Sequence, residues 1–569
     1  MEIQNNYFKL IILLLIFIFA INGNFILNND FSYAKDYNIG VGLNNNEIQN
    51  IIDNAISGSR IIFSGSNYNN ISLVINKTLI LISNVETKLY ASSNNLNGES
   101  FSSVFYFKEG SNGSSIKGFN IIADDYGIIT YNTSNVSIYN NKISNASKSG
   151  ILIESSKNVS TLNNNITKNN IGVTVEKSDK VNIKKNKIYN NKKNGINVHS
   201  SNNTVIDNNQ IYNNINGVNI ENTVKSNITN NEIKNNDLHG IEFSGKTEKT
   251  FISKNNISKS TRGIYINSYS KNDVIISNYI NNNIYRGIEP DDDLPYGIGI
   301  LFGRQFNFDD TDVDIKWNAI TENSQFSIRA PSDGDLVHIG ANWLGSNDPK
   351  KTQLCHRVDS PLIKAYFQKT ANGYQLIFYD GNSIVTNLAS FPVIFYLNGK
   401  PIQISQVLNG VATFNGNIDR YNLNNLSVSF GKDVLSMEIL PTLSQNKDYK
   451  DPYTVVESTD SESSNGNNYV DNNGNGFGNN DGEGNGIAGL NNIRKSNSNV
   501  GGSSGNGISG ENAKTITAKE IQMEDDNYKI KESDNSILII TIILFLTIIV
   551  GYIFQRFRNN FNFFRNFYK

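Results

Sequence analysis

Residues 172–194 read GVTVEKSDKVNIKKNKIYNNKKN and residues 195–216 read GINVHSSNNTVIDNNQIYNNIN. Each opens on a glycine followed by an aliphatic residue. The same opening recurs at Gly127, Gly150, Gly172, Gly195, Gly217, Gly240 and Gly263, about 22–24 residues apart, a solenoid-sized period. Apolar residues return three positions after the glycine, at Ile153, Val175, Val198, Ile220, Phe243 and Ile266. They return again near position sixteen, at Ile143, Ile166, Ile188, Ile211, Ile233, Ile257 and Ile280. Alternation over three to five residues makes strands, and about 22 residues cannot hold a helix beside three of them. The pattern therefore predicts one strand-turn-strand-turn-strand coil per repeat. Stacked in parallel about 4.8 Å apart, such coils bury a continuous aliphatic core that no single coil could bury. The expected fold is all-β, a parallel β-helix.

Asparagine, with about 98 copies, makes up roughly a sixth of the 569 residues, far above ordinary usage. Part of that bias is compatible with an AT-rich genome. One column keeps its register regardless: Asn141, Asn164, Asn186, Asn209, Asn231, Asn255 and Asn278 hold one position in successive coils. Asparagine suits a bend because it tolerates left-handed backbone, and stacked amides can bond along the column.

These features resemble the right-handed parallel β-helix repeat proteins, which include pectate-lyase-like enzymes, carbohydrate-binding NosD-like proteins and the adhesin-like surface proteins of methanogenic archaea. The N-terminal segment is similar too. Ile48, Ile51, Ile52, Ala55 and Ile56 form one apolar helical face able to cap an open core, and the first coils follow from Gly58. At the far end, Ala341-Asn342-Trp343-Leu344-Gly345-Ser346-Asn347 resembles a terminal motif of the adhesin-like proteins, with Leu344 in place of a second Trp. The solenoid is expected over residues 35–347.

The two ends point to a surface location. Lys9 precedes the apolar run Leu10 to Ile21, short enough for a secretory signal peptide ending by Ala34 (residues 1–34) or nearer Gly23. Residues 536–554 are apolar over a length that matches a hydrocarbon core of about 30 Å. Arg556, Arg558, Arg565 and Lys569 in the tail, residues 555–569, orient it with the bulk of the chain outside. Between solenoid and span, residues 355–442 carry short alternating strands punctuated by Asn398-Gly399, Asn409-Gly410 and Asn415-Gly416. They read as a small immunoglobulin-like β-sandwich acting as a spacer. Residues 443–535 are rich in Asn, Gly and Ser, and read as a disordered stalk.

Charge and sulfur exclude several functions. With 50 Lys+Arg against 52 Asp+Glu there is no basic field for nucleic acid. The single Cys355 excludes a disulfide framework or a Cys-rich zinc site. It reads as a surface thiol whose side chain points away from His356. His239 reads as a turn residue. Four His and three Met, unclustered, do not suit copper.

Two constellations could carry chemistry. The fourth position after each glycine holds Glu154, Glu176, His199 and Glu221, one above another. Such a column could take a cation, contact a sugar or form an acid/base pair, or be a solvated ladder. Asp291, Asp292 and Asp293 lie in an insertion, and Asp310, Asp312 and Asp314 follow within a coil. Hard oxygens in clusters suit Ca²⁺, although the Gly and distal Glu of an EF-hand loop are missing. Tyr265 and Tyr296, with Tyr269, Tyr279 and Tyr285, are candidates to stack on sugar rings as exposed aromatics. The leading expectation is a non-enzymatic, membrane-anchored adhesin binding glycans or surface proteins of other cells or the envelope. A surface polysaccharide lyase or hydrolase, and a structural envelope component, are the alternatives.

Overall fold

The computed structural model describes residues 34–92, 102–287, 295–304, 306, 312–331, 336–419 and 421–441. The expected signal peptide up to residue 33, the stalk, the membrane span and the tail lie outside the described residues. So do Asp291, Asp292, Asp293 and Asp310. Among the described residues no helix is long and apolar enough to cross a membrane.

The repeat folds as a parallel β-helix with three sheets of 14, 11 and 11 strands. One coil supplies Ile171–Glu176, Asn182–Lys184 and Lys187–Tyr189 before Asn194–His199 begins the next. Register is kept from coil to coil: Val173 faces Ile196, Val175 faces Val198, Ile183 faces Ile206 and Ile188 faces Ile211. All of these side chains are fully buried.

The corners show why asparagine dominates. In the coil from Gly172, Lys177, Lys180, Lys185 and Asn190 have φ of 47°, 57°, 54° and 54°. In the next coil Ser200, Asn203, Asn208 and Asn213 take the same places. Asparagine is enriched in this left-handed region. The predicted column behaves differently from expectation, because the left-handed residue is the one before it. Asn186 itself points inward. Its Nδ2 donates to Asn209 Oδ1 at 3.1 Å and to the Thr161 carbonyl at 3.0 Å, and its backbone N–H donates to the same Asn209 oxygen at 2.9 Å. The ladder continues through Asn278 to Asn318 and Asn342. A second buried ladder, Asn169, Asn191, Asn214 and Asn236, lines the next corner. It could not be picked out of so asparagine-rich a sequence.

The repeated glycines serve close approach. None of the seven has a positive φ. A Cβ on Gly172 would lie 2.4 Å from the Gly195 carbonyl oxygen and 2.6 Å from Ile188 Cγ2. The column continues at Gly299, since Arg262 pairs with Ile298. Gly297, the next glycine by spacing, falls outside it.

Both ends of the stack are closed. The helix Asn45–Asn54 starts on a capping box between Asn44 and Glu47 and buries Ile48 and Ile52. Its polar residues also blunt the terminal strand Leu73–Ile75. The Gln49 amide accepts from Val74 N–H at 2.8 Å and donates to the Val74 carbonyl at 3.0 Å, and Asn45 accepts from Ser72 N–H. An open strand edge is thereby paired by side chains.

At the C-terminal end the solenoid pattern passes beyond residue 347, because Val337 pairs with Val358 and Asn342 bridges Leu362. The following residues form two antiparallel four-stranded sheets. Read as a spacer, this sandwich instead shares a core with the last coils. The fully buried Trp343 ring lies 5.1 Å from Phe378 and 5.5 Å from Phe430. Asn347 bonds both the N–H and the carbonyl of Ala365, and Ser346 donates to Asp433. The Asn-Trp motif is a joint between the two layers.

Asn209→Ala removes the acceptor of two buried donors and is expected to lower unfolding free energy by about 2–4 kcal/mol, measured by denaturant titration. Asn163→Ala, at an exposed left-handed corner, is expected to cost about 1 kcal/mol.

Asp273 offers a second test. Its carboxylate is 1% exposed and accepts from Thr250 N–H at 2.7 Å and Thr247 Oγ1 at 2.6 Å. Burial outweighs these bonds and pushes its pKa from 3.8 up to about 6. The folded state thus favours the neutral form: the contribution is complete below pH 3.8 and is lost as pH rises through about 6, amounting to about 3 kcal/mol. Comparing unfolding at several pH values, Asp273→Asn should flatten that part of the slope.

Candidate functional site

The glycine-bearing strands place three polar columns on the outer face of their sheet. The first was expected. Glu154 pairs with Glu176, Glu176 with His199 and His199 with Glu221. His199 Nδ1 lies 3.1 Å from Glu221 Oε2, while Glu176 turns away to meet Lys177 Nζ at 2.8 Å. His199 and Glu221 thus form a pair, and Glu176 stands apart from it.

The second column, two residues after the glycine, went unnoticed in the sequence. Thr174 faces Asn197, Asn197 faces Asn219, and Asn219 faces Glu242. In earlier coils this position is filled by the buried Ile129 and Leu152. The change from aliphatic to amide at constant offset is the signal that could have found it. Asn194 and Asn216, just before their glycines, form the third column. Asn194 Nδ2 donates to Asn197 Oδ1 at 3.1 Å and Asn219 Nδ2 donates to the same oxygen at 2.8 Å. Asn216 Nδ2 donates to Glu242 Oε2 at 2.8 Å. Asn219 is only 7% exposed, and its Oδ1 has no hydrogen-bond partner among the described residues. Such an oxygen costs about 1–3 kcal/mol to leave unmade and calls for an explanation. The result is a long shallow face with an amide floor, Glu176, His199 and Glu221 along one side, and Asn194 and Asn216 along the other.

Other expectations are corrected. Tyr265, expected at the surface, is 3% exposed. Its ring stacks on His239 with centroids 4.7 Å apart, and the Arg262 guanidinium lies 4.9 Å from its centroid. His239 lies buried on the strand His239–Phe243 rather than in a turn. Tyr279 packs on Phe391. Tyr296 and Tyr285 are exposed, with ring centroids 4.9 Å apart. Cys355 is buried, with Sγ 4.0 Å from His356 Nδ1, so the thiol is not a surface group and the two side chains do not diverge.

Cation sites find little support among the described residues. Asp314 pairs with Lys316 at 2.6 Å, and Asp312 lies opposite Lys271. No group of three or more His, Cys, Asp or Glu side chains converges as metal ligands would among the described residues.

Residues 110–298 match the family described as "Periplasmic copper-binding protein (NosD)". That span, about a third of the chain, holds His199 and His239 and neither Met nor Cys. This donor set does not fit copper, which favours clustered soft or imidazole ligands. Among solved structures, the chain is similar to the Azotobacter vinelandii mannuronan C-5 epimerase AlgE6 A-module, with TM-score 0.44 and 18% identity over 54% of this chain and 94% of that one. It is similar to the periplasmic alginate epimerase AlgG, with TM-score 0.39 and 14% identity over 52% and 80%. It is also similar to the Streptococcus pneumoniae surface protein and adhesin PfbA, with TM-score 0.39 and 14% identity over 57% and 93%. These likenesses concern the fold. No curated protein matches the sequence.

Proposed function

We propose that the chain is a membrane-anchored extracellular adhesin-like protein that binds glycans through the outer face of its glycine-bearing sheet. The observation that carries this reading is the amide floor, where the half-buried Asn194, Asn197 and Asn216 present amide groups from coil to coil. Amides both donate to and accept from hydroxyls. Neighbouring coils repeat the polar contacts, which favours several weak contacts along a chain over one deep pocket. The apolar runs Leu10 to Ile21 and 536–554, and the Asn/Gly/Ser-rich sequence 443–535, support display of this face outside the cell.

The alternatives have less support. Glu176 points to Lys177, away from the His199–Glu221 pair, and Glu242 in the neighbouring column accepts from Asn216. The helix and the sandwich cover both ends of the solenoid and block strand-edge pairing between copies there, and a structural envelope component would instead show lateral self-assembly.

The purified full-length protein is tested on a polysaccharide array, with and without Ca²⁺, reading retained protein and released sugar together. Retention without sugar release is expected, and the double variant Asn197→Ala/Asn219→Ala should weaken it about ten-fold or more. Released oligosaccharides would overturn the reading in favour of an enzyme. Retention that vanishes with EDTA would move the contact to Asp291, Asp292, Asp293, Asp310, Asp312 and Asp314.

A further inference from the structure

A cleft of about 320 Å³ lies where the sandwich meets a corner of the solenoid. Its walls are fixed. Ser277 Oγ donates to the Asn387 carbonyl at 2.6 Å, Tyr279 stacks on Phe391, and Ala389 N–H donates to the Trp317 carbonyl at 3.0 Å. The solenoid sequence makes the room. Earlier coils place Asn140, Asn163, Lys185, Asn208, Asn230 and Lys254 at this left-handed corner position, and here a serine, Ser277, takes it.

Four exposed polar side chains, Lys254, Thr386, Asn387 and Asn409, line this cleft and make no hydrogen bond or ion pair to another described residue. No carboxylate lines it. Two amides and a hydroxyl can donate and accept around a ring of hydroxyls, and the volume is at the small end of ligand pockets. The one cation in the lining, Lys254, is exposed and has no ion-pair partner among the described residues.

We propose that this cleft is a discrete saccharide site for a single sugar unit carrying one carboxylate, with Lys254 meeting the carboxylate and Asn387 and Asn409 the hydroxyls. It is separate from the amide-floored face and relies on the glycan-binding reading only for the class of ligand. Loss of polymer retention in the Asn197/Asn219 variant leaves it standing.

The test titrates the full-length protein with galacturonate and, separately, galactose, followed by calorimetry. Galacturonate should bind one site, with galactose weaker by about ten-fold. Lys254→Gln should remove the difference between the two sugars. Ser390→Trp, which fills the cleft from an exposed position, should abolish binding while leaving thermal unfolding and array retention unchanged. Equal affinity for both sugars in the wild type would overturn the proposal. So would galacturonate binding that survives Ser390→Trp, or no binding up to about 20 mM.

Discussion

Coils stacked at backbone hydrogen-bonding distance rise only about 4.8 Å per turn, so every side chain meets its counterparts one coil above and one below. This single spacing governs the rest of the molecule. Inside, it admits columns of Val and Ile that pack as continuous ridges, and it forbids a Cβ where the Gly172 and Gly195 backbones approach each other. At two corners it brings asparagine amides into bonding distance, and their oxygens take the N–H groups of the neighbouring coil. A buried polar group is tolerable only when it is bonded, and a ladder of identical amides bonds every member with its own copy. The corner residues just before the ladder take left-handed backbone, which favours Asn and is also adopted there by Lys185, Lys254 and Ser277.

A stack also has two ends, and each exposes a core and a strand edge. The closures differ in kind. At the N-terminus a helix covers the core with Ile48 and Ile52, and Gln49 supplies the two hydrogen bonds that a further strand would have made. At the C-terminus the last ladder residue, Asn342, is followed directly by Trp343, whose ring passes from the solenoid into the aromatic core of the sandwich. One short motif thus ends one architecture and begins the next.

Outward positions escape the packing constraint, and that is where chemistry can vary between coils. On the glycine-bearing sheet the floor position changes from Ile129 and Leu152 to Thr174, Asn197 and Asn219. The neighbouring column carries Glu154, Glu176, His199 and Glu221. Stacking alone does not unite that column, since long side chains choose partners within reach, and Glu176 prefers the adjacent lysine. The cleft beside Lys254 arises from a different source, the meeting of a corner turn with loops about 130 residues later in the chain.

The sequence by itself determined the solenoid. Its period, the aliphatic offsets, the glycine column and the first asparagine column are all local in register, and a repeat can be read wherever one coil dictates the next. The capping helix was readable for the same reason, from one apolar face over a dozen residues. Tertiary structure alone decided which polar residues share a site. Asn194 and Asn219 are joined through Asn197 across coils, Tyr265 is drawn under His239 and Arg262, and Cys355 is buried by the last turns. It also decided that the sandwich is a cap. Burial and side-chain partnership depend on what arrives from elsewhere in the chain, and no periodicity records that.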